Sequence, residues 1–195
     1  MGRIASFHLI DEPAWKTPIV LSRLGTDRLR LPHIHGLAFW RLLGTGRGDD
    51  TGRGADLSRS ALFAVWDDEQ HLDSFLADSS LARRWDGAEE SWHVRLRSIG
   101  GHGTWKGFDP LAGLDEGTPD GPVAIITRAN VRRRSWKAFG AASEVVDAEL
   151  HQAPGLIDVV GIGETPVGAL ATFSLWESLA AARAFAYSMP DHVEV

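Results

Sequence analysis

The stretch Ala171-Thr-Phe-Ser-Leu-Trp-Glu-Ser178, followed by the alanine-rich run Leu179–Phe185, gives the clearest indication of the fold. Apolar and polar residues alternate up to Trp176, which is the pattern of a strand with one buried face. The alternation then stops, and alanine, the residue with the highest helix propensity, dominates the next turns. Pro190 is placed to end this helix, because proline lacks the backbone N–H that a helix interior needs. The stretch therefore predicts a strand, a tryptophan and a helix, with His192 just beyond the helix end.

An earlier stretch, Ala61-Leu-Phe-Ala-Val-Trp-Asp-Asp68, has the same organisation. Gly36 and Gly155 also begin corresponding apolar runs. Three pairs of residues keep an offset of 110 positions: Phe63 with Phe173, Trp66 with Trp176, and Phe75 with Phe185. The chain is therefore predicted to be a tandem duplication. At the same offset from His192 the first copy has Ala82, so a ligand at this place is predicted for the second copy alone.

Each half of the sequence predicts the element order β-α-β-β-α, and the first half adds a closing strand at Ser91–Ile99. This is the order of a ferredoxin-like split β-α-β unit. We predict an α+β fold of tandem ferredoxin-like repeats that form an α+β barrel, with a helix over residues 69–88. The repeats are expected at residues 1–110 and 121–195, joined by a linker at 111–120. The second repeat lacks a closing strand, which predicts a truncation or a strand from a neighbouring chain.

The composition excludes several classes of protein. A net charge of −6 argues against a general nucleic-acid-binding protein, which carries a basic stripe. There is no cysteine, so neither a disulfide framework nor a thiolate ligand is available. No apolar run approaches the roughly 20 residues that cross a bilayer, and the first residues resemble no secretion signal. We therefore expect a cytoplasmic protein without stable membrane insertion.

Catalytic motifs of common enzyme classes are absent from the sequence. Glycine-rich segments are not followed by helical patterns, so the dinucleotide fingerprint fails, and no nucleophile elbow or P-loop occurs. His8 and His93 lie in predicted strands, where a hydrogen-bonded core histidine or a surface residue is the better interpretation. His192 differs because it follows the helix of a duplicated motif, yet the residues alone leave a ligand and an ordinary surface histidine both open.

Several segments resemble the spheroidene monooxygenase family of bacterial carotenoid biosynthesis. The matching segments are Leu21-Ser-Arg-Leu-Gly25, Phe39-Trp-Arg-Leu-Leu-Gly-Thr-Gly46, Glu90-Ser-Trp92 with Gly103-Thr-Trp-Lys-Gly107, Ile126-Thr-Arg-Ala-Asn130, Val160-Gly-Ile-Gly-Glu-Thr-Pro166, and Phe173-Ser-Leu-Trp-Glu177 with Ala184-Phe-Ala-Tyr187 and Asp191-His-Val193. They occur in order and cover most of the chain from Leu21 onward. The resemblance implies heme b as cofactor and an oxygen-dependent oxidation of an apolar polyene.

The segment from Trp176 to His192 also resembles the strand–tryptophan–helix–histidine element of bacterial haem-degrading monooxygenases. Those proteins are dimeric α+β barrels with one axial histidine at the end of that helix. Together the two resemblances imply a haem-dependent monooxygenase, an oxidoreductase, with His192 as the axial iron ligand. They also imply a small apolar substrate, dioxygen as co-substrate, and a homo-oligomer as one possible assembly.

The resemblances also imply roles for further residues. Phe173, Trp176, Phe185 and Tyr187 would pack against the macrocycle. Arg128, in the family's Thr-Arg-Ala segment, would pair with a propionate or point at bound oxygen. Arg128 and Trp176 are therefore the candidate catalytic residues.

Two alternatives stay open at this stage. The loop at residues 47–56 is far more charged than the corresponding loop of the carotenoid enzymes, which favours a more polar metabolite if the loop lines the substrate entrance. The second alternative is a haem-free α+β barrel, acting either as a cofactor-independent oxygenase or as a module that binds a small ligand or another chain.

Overall fold

The fold comes from a computed structural model that describes residues 2–46, 55–118, 120–130, 148–164 and 169–188. The chain forms two compact units: the first is Met1–Gly44 with Asp56–Gly117, and the second is Thr45–Ala55 with Thr118–Val195. The first unit is built from strands β1 (Ile4–Asp11), β2 (Leu37–Gly46), β3 (Ala55–Trp66) and β4 (Glu90–Leu96), and helices α1 (Thr17–Arg30) and α2 (Glu69–Asp78). The second unit is built from strands β5 (Val123–Asn130), β6 (Leu156–Gly163) and β7 (Ala169–Trp176), and helix α3 (Leu179–Ser188).

The strands of the first unit lie in the order β4-β1-β3-β2. Strand β1 is antiparallel to both of its neighbours, β3 and β4. Strand β3 separates β1 from β2, although β1 and β2 are joined through α1, and this arrangement defines the split β-α-β unit. The predicted α+β class and its ferredoxin-like organisation are confirmed.

The described strands of the second unit lie in the order β6-β7-β5, with antiparallel pairing on both sides of β7. The first three strands of the first unit have the same relative order. Residues 148–151, which precede β6, are helical. The two units therefore share the topology that the repeated sequence motif predicts.

The two repeats also share a backbone turn before the second strand of each unit. Gly36 and Gly155 both have positive φ angles, of 74° and 81°. The carbonyl of Gly36 accepts the N–H of Asp67, and the carbonyl of Gly155 accepts the N–H of Glu177, both at 2.8 Å. Each donor directly follows the tryptophan that ends the third strand of its unit. The same turn therefore ties the same two strands together in both repeats.

We expect Gly155→Ala to lower the free energy of unfolding by about 2 kcal/mol or more. An alanine Cβ at this position would lie 2.6 Å from the Cβ of Ala181, and the left-handed backbone penalises any side chain. Gly87→Ala is the matched control, because nothing lies within 4 Å of its added Cβ. Urea denaturation of both variants measures the difference, and equal stabilities would contradict the interpretation of this turn.

The helices pack on one face of the strands in each unit and enclose a separate apolar core. In the first unit the core residues are Ile4, Leu31, Leu42, Leu62, Ala64, Trp66, Leu72, Phe75, Leu81 and Ala82. In the second unit they are Val123, Leu150, Val159, Trp176 and Ala182. Within the described ranges, no helix has both the length and the apolarity to cross a bilayer.

The segment after β4 packs back on the first unit. The N–H of Arg3 donates to the carbonyl of Gly113, and the N–H of Asp115 donates to the carbonyl of Arg3, both at 2.8 Å. Trp105, in the same segment, is buried and stacks on Phe63 of β3, with ring centroids 5.6 Å apart. Much of this glycine-rich segment is therefore part of the first unit's packing.

Candidate functional site

Trp176, at the end of β7, is the most enclosed of the predicted site residues that the structure describes. Its side chain is 2% exposed, and its ring centroid lies 5.4 Å from that of Phe185 on α3. The indole Nε1–H donates to Ser174 Oγ at 2.9 Å. Ser174 lies on the same face of β7, because alternate residues of a strand project to the same side. The hydrogen bond satisfies the only polar atom of the indole, so Trp176 is held in place as a rigid aromatic wall.

Helix α3 begins directly beside this wall. Its first turn is capped by Ser178, whose Oγ accepts the N–H of Ala181 at 3.2 Å. Phe185 is half-buried against Trp176, whereas Tyr187 near the end of the helix is 83% exposed. His192 follows α3 in the sequence but lies outside the described residues, so its role as a ligand stays a prediction.

Phe173 and Arg128 lie on the opposite face of the second unit's strands from Trp176. Phe173 is three residues from Trp176 along β7, and an odd separation places two strand residues on opposite faces. Phe173 pairs with Ile126, and Arg128 pairs with Ala171, so Arg128 shares the face of Phe173. Burial lowers the pKa of the Arg128 guanidinium, and the neighbouring carboxylate of Glu164 opposes this shift.

The structure therefore divides the residues that the resemblance assigned to one haem site. Trp176 and Phe185 contact each other on the helix face. Phe173 and Arg128 cannot join that wall, because the backbone of β7 lies between them and Trp176. The sequence already contained the information for this division, because side chains alternate between the two faces of a strand and residues 173 and 176 are an odd number of positions apart.

The first unit contains the same tryptophan–phenylalanine pair. Trp66 and Phe75 have ring centroids 4.9 Å apart with an interplanar angle of 37°, and Trp176 and Phe185 have the same angle. Trp66 Nε1–H donates to Ser6 Oγ at 2.8 Å, so the accepting serine comes from β1 and not from the strand of the tryptophan itself. The repeat thus preserves the aromatic pair and the satisfied indole.

In the first unit, two histidines and a tryptophan fill the space beside this pair. His8 is 1% exposed, its Nε2 lies 2.9 Å from Ser6 Oγ, and its Nδ1 lies 3.0 Å from Nδ1 of His93. The ring of Trp85 stacks on both imidazoles, at 4.8 Å from His8 and 5.1 Å from His93. Ala82, the counterpart of His192, is buried in the same core. In the first repeat, the space beside the Trp66–Phe75 pair is therefore occupied by side chains of the repeat itself.

Burial favours the neutral forms of both histidines. Burial lowers the pKa of His8 to about 3, and the nearby His93 contributes to the shift. Burial also lowers the pKa of His93, against the attraction of the Asp86 carboxylate. Two neutral imidazoles can share one Nδ1–H···Nδ1 hydrogen bond, which fixes opposite tautomers. The interpretation of His8 as a hydrogen-bonded core histidine is confirmed.

A second polar feature of the first unit is a small pocket between α1 and the strands. Glu12 accepts hydrogen bonds from Lys16 Nζ at 2.6 Å and from an Arg23 guanidinium nitrogen at 2.7 Å. Asp27 Oδ2 accepts from Arg84 at 2.7 Å, and Asp27 Oδ1 has no hydrogen-bond partner within the described ranges. The pocket volume of about 50 Å³ has room for a few water molecules and excludes a macrocycle. The spacing pattern of the sequence did not reveal these buried acids.

Within the part of the chain that the structure describes, no three histidine, aspartate or glutamate side chains converge as a metal-binding group.

Comparison of the sequence with known proteins identifies the family of the chain. The chain is 35% identical over 159 residues to the spheroidene monooxygenase of Rubrivivax gelatinosus, covering 77% of this chain and 59% of that protein. It is 27% identical over 186 residues to the spheroidene monooxygenase of Cereibacter sphaeroides, covering 94% of this chain and 56% of the relative. The match to the spheroidene monooxygenase of Rhodobacter capsulatus is 28% over 178 residues, covering 90% of this chain and 74% of the relative. The chain belongs to the spheroidene monooxygenase family.

The membership of this family that the sequence motifs predicted is therefore confirmed. The chain spans little more than half the length of the Cereibacter and Rubrivivax relatives. No protein-family model matches it. Among solved structures, the crystal structure of an aldoxime dehydratase superimposes with a TM-score of 0.56 at 13% identity, covering 98% of this chain and 75% of that one. At this identity the similarity shows a shared fold.

Proposed function

We propose that this member of the spheroidene monooxygenase family is a monooxygenase that transfers one oxygen atom of dioxygen to a small apolar molecule. The observation that carries the proposal is similarity to three proteins of that name along 77–94% of the chain. The second oxygen atom leaves as water, so the reaction also consumes two electrons and two protons from a donor. Because the chain spans only part of its relatives, its own activity has to be established directly.

We further propose heme b as the cofactor, with His192 as the axial ligand. A neutral imidazole nitrogen is a common haem ligand. Two features support the second unit as the site: Trp176 and Phe185 form an aromatic wall beside α3, and the matching region of the first unit is filled by Trp85 and His8. When bound, haem supplies the activation of dioxygen. The chain would then bind and orient the macrocycle and keep water from it.

Arg128 and Phe173 take a different place in this proposal. They lie on the face opposite Trp176, so they are assigned to the substrate or to a carboxylate that reaches that face, and not to the haem wall. The burial that lowers the pKa of Arg128 also strengthens its attraction for an anionic group. Tyr187 is exposed, so its contact with the macrocycle stays a prediction.

Substrate polarity, assembly and location belong to the same proposal. The charged loop at residues 47–56 lies outside the described residues apart from its last two, so the choice between a polyene and a more polar metabolite stays a prediction. The homo-oligomer and the cytoplasmic location also stay predictions.

The decisive experiment supplies ¹⁸O₂, a chemical electron donor and an apolar polyene to the purified protein, with and without added hemin. Mass spectrometry of the polyene is expected to show one labelled oxygen atom per oxidation, and only in the hemin-loaded sample. A matched polar metabolite serves as the competing substrate. Labelled product without hemin would establish a cofactor-independent oxygenase and overturn the haem proposal. Hemin binding without labelled product from either substrate would overturn the monooxygenase proposal.

A further inference from the structure

Two histidines from distant parts of the first unit lie side by side at its surface. The ring centroids of His35 and His71 are 4.8 Å apart, with an interplanar angle of 42°. His35 is exposed in the turn before β2, and His71 is half-buried in the first turn of α2. The proposed monooxygenase function uses neither residue, so the pair calls for a separate explanation.

The turn at Gly36 brings the two segments together. The carbonyl of Gly36 accepts the N–H of Asp67, just before α2, at 2.8 Å. A Cβ at Gly36 would overlap the imidazole of His71, so this ring lies directly against the bare backbone of the glycine. The turn therefore fixes both the ring of His71 and the backbone that carries His35.

Asp68 orients the imidazole of His71. Its Oδ1 accepts the backbone N–H of His71 at 3.0 Å and lies 2.8 Å from Nδ1 of the same residue. The backbone hydrogen bond is the N-cap of α2, which holds the carboxylate in place. When Nδ1–H donates to a carboxylate, the lone pair of Nε2 is left for a metal ion, and metal-binding histidines are commonly held in this way.

The second repeat forms the same turn and the same cap without these side chains. The equivalent residues of the second repeat are Ser178 for Asp68, Ala181 for His71, and Pro154, which precedes the glycine of the turn, for His35. Ser178 Oγ accepts the N–H of Ala181, and a Cβ at Gly155 would meet Ala181. The turn and the cap therefore require neither imidazole, and the histidine pair is an addition to the shared fold.

We propose that His35 and His71 bind one divalent transition-metal ion, such as Zn²⁺ or Ni²⁺, with Asp68 positioning the imidazole of His71. Two imidazoles bound to one ion at about 2.1 Å, at an angle of about 90° to 110°, have ring centroids about 4.5 to 5.2 Å apart. The observed separation of 4.8 Å lies within this range. Imidazole nitrogen suits zinc, copper and nickel, whereas magnesium and calcium prefer oxygen ligands.

Water would complete the coordination of the ion. Within the ranges that the structure describes, no third histidine or carboxylate joins the pair as a ligand. The bound ion would connect the segment before β2 to α2, so it should also stabilise the first unit against unfolding. The inference depends on no step of the proposed function.

The test is isothermal titration of the full chain with Zn²⁺ near pH 7.5, without hemin or substrate. His35→Ala and His71→Ala should each weaken one binding event by about tenfold or more. Asp68→Ser, which restores the residue of the second repeat, keeps a cap but removes the carboxylate, so it should weaken the same event by about tenfold. His33→Ala is the matched control, because His33 is an exposed histidine two positions from His35, and its loss should leave the titration unchanged.

Urea denaturation with and without Zn²⁺ gives a second measurement. Zn²⁺ should raise the unfolding midpoint of the parent protein and of Asp68→Ser at saturation, but not that of the variant that combines His35→Ala with His71→Ala. Without metal, Asp68→Ser should be about as stable as the parent protein, since the cap is kept.

Several outcomes would overturn the inference. These are unchanged Zn²⁺ affinity in both alanine variants, a loss of binding in His33→Ala as large as in His35→Ala, or Mg²⁺ binding as tight as that of Zn²⁺. Affinity in Asp68→Ser equal to that of the parent protein would overturn the positioning role of Asp68. Because no turnover is measured, an inactive protein that still binds Zn²⁺ at this pair would contradict the proposed function and leave the metal site intact.

Discussion

Replacing His192 by alanine is expected to weaken hemin binding by at least about a hundredfold and to leave the fold unchanged. His192 follows α3 in the sequence, and under the proposed function its imidazole is the ligand of the haem that the Trp176–Phe185 pair would contact. The first repeat has Ala82 at the corresponding position and offers no second ligand of this kind. The measurement is a hemin titration followed at the Soret band, with urea denaturation of the apo-protein to establish that the variant folds.

His102→Ala is the matched control for this substitution. His102 is an exposed residue of the glycine-rich segment, distant in sequence from α3, and its loss should leave the titration unchanged. If His192→Ala and His102→Ala both bind hemin as tightly as the parent protein, His192 is not the axial ligand. Family membership would stand, because it rests on sequence similarity and not on haem.

Acid is expected to destabilise the protein strongly, with the free energy of unfolding falling by up to about 1.4 kcal/mol for each pH unit below about 6.5. Burial lowers the pKa of His8 from 6.5 in the unfolded chain to about 3 in the folded one. Between these values the unfolded chain binds the proton and the folded chain does not. The stabilisation is therefore complete above pH 6.5 and is lost as the pH falls towards 3.

The shift has a structural cause that a variant can isolate. His8 is enclosed by Trp85 and Phe75, and its Nδ1 faces His93, whose own pKa is lowered by burial. Protonating His8 places a positive charge in the core, and protonating both imidazoles makes the two Nδ1–H groups face each other and breaks their hydrogen bond. The Asp86 carboxylate, which acts on His93, offsets only part of this cost.

Urea denaturation at several pH values between 7.5 and 4.5 measures the slope. His8→Phe keeps an aromatic ring but cannot titrate, so its stability should depend less on pH, even though it is less stable at pH 7.5. His102→Ala should keep the slope of the parent protein. A slope in His8→Phe equal to that of the parent would show that other groups cause the acid sensitivity.

Local sequence patterns were sufficient to predict the elements of the fold. The alternation that ends at Trp176 became β7, and the alanine-rich run became α3, because each pattern depends on residues within one or two turns of each other. The predicted helix over residues 69–88 is wrong in its second half. Helix α2 ends at Asp78, and a 3-10 helix at Ala82–Gly87 follows. Trp85 packs on His8 of β1 in the segment where the predicted helix is interrupted. These two residues are far apart in the sequence, so the helical periodicity could not predict their contact.

The candidate site was predicted less completely. Resemblance placed Phe173 and Trp176 in one site, but strand geometry puts them on opposite faces, and counting residues along β7 would have separated them. The face of the sheet on which Arg128 lies could not be predicted by counting residues along one strand. It depends on the register between β5 and β7, which pairs Arg128 with Ala171 and is set by the packing of both strands.

The sequence alone predicts that two similar β-α-β-β-α units follow each other, that each has a tryptophan before its last helix, and that His192 of the second unit is replaced by Ala82 in the first. Those features repeat at a constant spacing along one chain. The contact of His8 with His93, 85 positions away, and the hydrogen bond from Trp66 to Ser6 are seen in the folded chain and in no sequence pattern. The register between antiparallel strands sets which distant side chains are in contact. In the first unit, this register places His8 and His93 together beside the Trp66–Phe75 pair.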